Sequence, residues 1–270
     1  MRKIGTAPIW ATTVPMEEQF PFLKEVGFDC VMLSYFVGDD IAPLYNGAIK
    51  AGLEVCNIHG PISTVNSVWA EGIDGDDYIE IQKERINFCH SAGIPTVVLH
   101  TTFLKNPPPV SDIGIERHKR LCDYAENKGV HLAFENVEPY PHLDAVIKNV
   151  SDFHGFCWDV GHNNVYAPTT DYMAKYADRL TAVHIHDNHG AAWYSAPEMR
   201  GDKHWIPFDG SIDWEKYAEK LNSSVYDGPL TLEISLGASE EYKKMTFEEL
   251  AVKYHKGVSK LREIVEKSSE

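Results

Sequence analysis

Short runs of apolar and β-branched residues alternate along the chain with longer segments whose apolar positions recur every three to four residues. The short runs predict strands at 3–9, 30–36, 53–59, 96–102, 131–137, 156–162, 182–188 and 229–235. The longer segments predict helices near 14–27, 42–52, 76–92, 112–128, 142–150, 171–180, 213–223 and 247–267, and Gly27, Gly52, Gly93 and Gly129 stand where C-terminal caps belong. Eight strands each followed by a helix is the number that closes a (β/α)8 TIM barrel, whereas a doubly wound open sheet usually stops at five or six. The expected fold class is therefore α/β, with residues 1–270 read as a single barrel domain, since no linker-like stretch divides them. Pro107–Pro109 reads as a rigid loop. The longest gap, 189–212, is long enough to expect a functional loop.

Alternation assigns faces to the strands, and in a barrel the chemistry gathers at their C-terminal ends. If Leu132 and Phe134 face the helices, Glu135 points inward; if Phe156, Trp158 and Val160 do, Asp159 points inward. The same parity places His184 and His186 inside opposite Val183 and Ile185, and Glu233 inside opposite Leu230, Leu232 and Ile234. His59 and His100 close two earlier strands. Carboxylates in a narrow mouth need partners, because an unpaired charge out of water is costly. Glu135, Asp159, His184 and Glu233 form an oxygen-rich N/O set suited to a divalent ion such as Mn, Co, Zn or Mg. Without an ion, the same set is a carboxylate network around a protonated His184.

Other residues are more ambiguous. His59 and His100 are each either ligands or hydrogen-bonded core residues. His186 lines the pocket, and Asp187 is a strand-end cap or a support for the ligands. His162 binds either a metal or a substrate oxygen, with Gly161 letting the backbone turn at the strand end. Asp202 and His204, two apart, present both side chains to one point if the chain there is extended. Ser211 reads as the cap of the helix that starts near Asp213. Trp69, Trp193, Tyr194 and Trp205 either stack on a sugar face or seal a contact between copies of the chain in a homo-oligomer, while Lys105, Arg200 and Lys203 are loop cations available to a phosphate.

Charge narrows the partners. With 25 basic and 40 acidic side chains the formal net charge is −15, so nucleic acid is not the favoured partner. The five cysteines are scattered without a CxxC pair, which predicts reduced thiols and a cytoplasmic setting. Neither a secretory signal nor an apolar run of membrane-spanning length is visible. Nucleotide-binding glycine loops, the GxSxG elbow and HEXXH are absent as well.

Taken in order, FENVEP (134–139), FCWDVGH (156–162), VHIHDN (183–188), DKHWIPFDGSIDW (202–214) and LTLEIS (230–235) resemble the sugar phosphate isomerase/epimerase group of xylose isomerase-like barrels, relatives of the type IV AP endonucleases. The resemblance implies a divalent metal held by Glu135, Asp159, His184 and Glu233. It also implies a ketose or related polyol as substrate, and a pair of glutamates, Glu135 and Glu233, that remove and return a proton next to a carbonyl through an enediolate. His59, His100, His162, Asp202 and His204 resemble the further ligands of the nuclease relatives, which keeps a two- or three-metal phosphoesterase as an alternative. Against that alternative stand the net charge and VEPYPHLD after Asn136, where the nuclease pattern is Gly-rich. A metal-dependent sugar lyase or dehydratase and a non-catalytic sugar-binding subunit are the remaining alternatives.

Overall fold

Strand and helix alternate as the apolar pattern predicts, and the strands close on themselves. The structure, a computed structural model, describes residues 1–10, 12–34, 40–103, 106–190, 201–235 and 239–268. Its strands are β1 (Ile4–Thr6), β2 (Cys30–Ser34), β3 (Glu54–His59), β4 (Thr96–His100), β5 (His131–Glu135), β6 (Gly155–Asp159), β7 (Leu180–His184) and β8 (Leu230–Leu232). All neighbouring pairs are parallel, in the order β7-β6-β5-β4-β3-β2-β1-β8. Ile185 N donates to Thr231 O at 2.9 Å and Glu233 N to Ile185 O at 3.1 Å, which joins the two ends into a TIM barrel.

The surrounding helices are α1 (Met16–Val26), α2 (Ala42–Lys50), α3 (Ile73–Ala92), α4 (Asp112–Glu126), α5 (His142–Asn149), α6 (Val160–Tyr166), α7 (Tyr172–Tyr176), α8 (Trp214–Asn222) and α9 (Phe247–Lys267). Helix α9 shows why the chain folds this way. Thr246 and Glu249 form a capping box at its start, and Phe247, Leu250, Ala251, Tyr254, Val258, Leu261 and Val265 bury one stripe of three- and four-residue spacing. Gly27 and Gly93 are left-handed helix caps, as expected, and Gly52 and Gly129 adopt the same conformation just past theirs.

Two layers of core set the stage for chemistry. Between strands and helices pack Val97, Leu99, Leu132, Phe134, Phe156, Trp158 and Val183, whereas the barrel axis is filled by the smaller Val98, Ala133, Cys157 and Ala182. Polar side chains take over two residues later along those strands, at His100, Glu135, Asp159 and His184. All five cysteines are free, and among the described residues no helix is long and apolar enough to cross a membrane.

Several boundaries differ from expectation. The sixth strand ends at Asp159 rather than 162, because the Asp159 carboxylate caps α6 by accepting from His162 N at 2.6 Å. Val160, Gly161 and His162 are thus helical. Gly161 is required by closeness rather than by a turn, since a Cβ there would lie 2.0 Å from His186 Cε1. The cap of α8 is Asp213, which accepts from Lys216 N at 3.0 Å, while Ser211 Oγ donates to Asn188 O at 3.2 Å.

Trp69 does not reach a sugar. It is 2% exposed, donates its indole N–H to Thr101 O at 2.7 Å, and packs on His118 and His142. A Cβ on Gly114 would meet its ring at 2.2 Å. Trp69→Ala is therefore expected to destabilise the fold by about 3–5 kcal/mol, read from denaturant unfolding. Phe36, Lys105, Trp193, Tyr194 and Arg200 lie outside the described residues.

Candidate active site

The C-terminal ends of six consecutive strands deliver six titratable side chains to one mouth. His59, His100, Glu135, Asp159 and His184 are the last residues of β3 to β7, and Glu233 follows β8 by one residue. The alternation that sends Phe134 and Trp158 into the helix layer sends their neighbours Glu135 and Asp159 inward. His186 joins from the β7 extension, His162 from the first turn of α6, and Asp202 and His204 from the segment that follows.

Glu135 is the hub. Its Oε2 lies 3.2 Å from His59 Nε2, 3.5 Å from His100 Nε2 and 3.2 Å from His184 Nδ1, and its Oε1 lies 3.0 Å from His162 Nδ1. Glu233 Oε2 approaches the same His184 Nδ1 at 3.2 Å. Asp159 faces His186 Nε2 at 3.0 Å and His162 Nδ1 at 3.6 Å. Asp202 stands 3.5 Å from His162 Nε2 and 3.6 Å from His204 Nε2, and the rings of His186 and His204 stack in parallel at 3.8 Å. The structure thus brings all ten sequence-selected residues together.

Two supporting residues escaped the sequence reading. Asn136 clamps Asp159 from both sides, donating to its carbonyl at 2.8 Å and accepting from its N–H at 2.9 Å. Its signal was a polar residue directly after a buried carboxylate, where a buried amide must find partners. Tyr166 donates to Asp202 Oδ2 at 3.0 Å. It stands one helical turn from His162, a spacing invisible while that stretch was read as strand.

Burial and mutual charge oppose one another throughout. Burial works to raise the Glu135 and Glu233 carboxyls, but the imidazoles facing them together outweigh it, His184 with His100 and His162 for Glu135 and His184 with His204 for Glu233, and hold both below the usual carboxylate range. Asp202 is held well below by His162 and His204. In the imidazoles burial acts downward and loses: His184 is raised by Cys157, Glu135 and Glu233, His162 by Asp159 and Asp202, His59 by Glu135, and His204 by Asp202 to about 9. Protons on these rings balance the carboxylates of the metal-free protein.

The signs then fix a prediction. A raised His stabilises below its unfolded pKa of about 6.5 and loses that contribution as pH rises through the folded value; a depressed carboxyl stabilises above about 4.5 and loses it as pH falls. The metal-free protein is expected to melt highest between about pH 4.5 and 6.5, with Tm falling as pH rises toward 9, which thermal scans after chelation will check.

The donor set fits a divalent ion. Glu135 Oε1, Asp159 Oδ2, His184 Nδ1, His186 Nε2, Asp202 Oδ1 and Glu233 Oε2 are buried with no hydrogen-bond partner, facing groups of the same cluster instead at ion-pair distances. In three groups the ligand atoms all lie within 4.8 Å of one another: Glu135, Asp159, His184 and Glu233; His59, Glu135 and His184, which shares two residues with the first; and, separately, His162, His186, Asp202 and His204. Zinc-to-ligand distances of about 2 Å place donors about 4 Å apart at most, so a small inward movement closes each group. At the opposite end of the barrel the cavity between Arg2, Glu54, Pro95 and Gly228 gathers no comparable set among the described residues.

Comparison with known proteins follows the same line. Residues 20–251 match the model of the xylose isomerase-like TIM barrel family. An uncharacterised protein of Sinorhizobium fredii, y4fM, is 32% identical over 170 residues, covering 57% of this chain and 52% of that protein. Fructoselysine 3-epimerase of Escherichia coli O157:H7 is 28% identical over 147 residues, 50% of each chain. The chain spans about half the length of these curated relatives. Among solved structures, an L-ribulose 3-epimerase superposes with a TM-score of 0.74 at 17% identity, over 99% of this chain and 96% of that one, a likeness of fold.

Proposed function

This chain belongs to the xylose isomerase-like TIM barrel family, and on that footing we propose that it is a divalent-metal-dependent sugar epimerase acting on a ketose or a related sugar derivative. One observation carries the reading: Glu135 and Glu233, from different sides of the barrel, converge on the same His184 nitrogen at 3.2 Å each. The similarity to fructoselysine 3-epimerase and the shared fold of L-ribulose 3-epimerase support it.

Glu135, Asp159, His184 and Glu233 would hold the ion. Such an ion supplies electrophilic polarisation of a carbonyl oxygen and stabilises negative charge that develops there. The two glutamates handle the proton. One carboxylate takes a hydrogen from the carbon next to the carbonyl, and the electron pair of that C–H bond shifts to leave an enediolate. The other glutamate, protonated from water at the mouth, then returns that proton to the opposite face of the carbon, inverting it, and the first glutamate gives its proton up to water. Glu135 is wholly buried, so it works out of water, whereas the Glu233 side chain keeps 24% exposure and meets the open mouth. Asn136 keeps Asp159 aimed, and the stacked His186 and His204 wall one side of the space the sugar enters.

Incubating the metal-loaded protein with ketohexoses and with a fructose-lysine adduct, and following carbon NMR spectra, tests this reading. New epimer signals that disappear on chelation are expected. Unchanged sugars across the panel would count against it. The third donor group, His162, His186, Asp202 and His204, favours one rival, a phosphoester hydrolase with two or three metal ions. Metal content per chain separates them: one ion, unaffected by His204→Ala, agrees with the epimerase, while two or three zinc ions with one lost in the variant agrees with the hydrolase.

A further inference from the structure

Asp202 and His204 belong to neither strand nor helix, yet they sit at the barrel mouth. The segment carrying them is folded around one buried carboxylate, that of Asp187, three residues beyond β7. Asp187 Oδ1 accepts from Asn188 N at 2.8 Å and Ile212 N at 3.2 Å; Oδ2 accepts from Phe208 N at 2.9 Å and the Trp214 indole at 3.2 Å. Its backbone exchanges two hydrogen bonds with Trp205, at 2.7 and 3.0 Å. Gly210 passes so close that a Cβ would lie 2.2 Å from Oδ1, and Phe208 takes a left-handed φ of 78°, unfavourable for a residue with a side chain. The clasp therefore holds a backbone shape that the segment's own residues disfavour.

The held segment meets the site at its other end. Lys203 O lies 3.2 Å from His186 Nδ1, His204 Nδ1 lies 2.8 Å from Glu233 O, and Ser235 N donates to His204 O at 3.1 Å. We propose that Asp187 is a positioning residue whose carboxylate gathers residues 205–213 and thereby sets Asp202 and His204 at the mouth. The role of those two side chains in binding rests on the functional reading above; the clasp does not.

An asparagine at 187 keeps the shape, but each oxygen now takes two N–H donors, so an amide nitrogen in either place meets donors with a donor. Deuterium exchange of backbone amides, read by mass spectrometry, tests the clasp. Asp187→Asn and, independently, Gly210→Ala are expected to speed exchange across 205–212 about tenfold or more while the strands keep their protection. Trp214→Phe, which removes a single donor, should do less. As a second readout, Asp187→Asn should raise KM for the epimerised ketose as far as His204→Ala does, with the double variant no higher. Unchanged exchange in 201–213, acceleration spread equally over the strands in both variants, or a double variant whose KM rises further than that of His204→Ala would each overturn the proposal. An unchanged KM in His204→Ala would count against contact between His204 and the sugar alone, and the exchange result would still decide the clasp.

Discussion

Glu135→Gln is expected to lower turnover about 10²–10⁴-fold while leaving KM within a few-fold of wild type, because that is what proton transfer by a positioned side chain contributes and an amide cannot accept the proton. The variant keeps the volume of a wholly buried group, so the barrel should remain folded, as circular dichroism will check. Four imidazoles face this carboxylate. Glu233→Gln should lose a comparable factor. Near-normal rates in either variant would refute a scheme with a base on each face of the sugar.

The second large effect concerns the ion. Asp159→Asn should weaken divalent-metal binding by at least about a hundredfold, since even substitutions beyond the direct ligands typically cost 10–100-fold. Asparagine is a competent helix cap, so α6 should survive, and the Asn136 clamp uses the backbone of residue 159, which is unchanged. Loss of affinity would thus report the missing carboxylate charge and not a broken strand end. Competition against a chromophoric chelator measures it; an unchanged dissociation constant would remove Asp159 from the ligand set.

How far the chain could be read from its sequence varies by element. The eight strands were legible because their apolar faces are continuous, and parity located Glu135, Asp159, His184 and Glu233 because Phe134, Trp158, Val183 and Leu232 sit in the helix layer. Strand ends were less legible. A carboxylate at a strand terminus caps a helix as readily as it continues a strand, and Asp159 does the former, which moved His162 onto α6 and hid its helical pairing with Tyr166. Trp69 misled for a related reason. An aromatic residue after a strand reads as a platform for a ligand, but here His118 and His142, from two later helices, enclose it. Asp187 was recognised only as a support. Its four donors come from residues 188 to 214, and no local spacing announces that they converge.

In the proposed reaction this barrel removes and returns a proton at a carbon next to a sugar carbonyl. The most direct measurement is proton NMR of ketohexoses in heavy water with the metal-loaded protein. Wild type is expected to form a new epimer with deuterium at the inverted carbon, and Glu135→Gln is expected to form none. Epimer formation without deuterium at that carbon, or no exchange with any ketose while phosphoesters are cleaved, would contradict it.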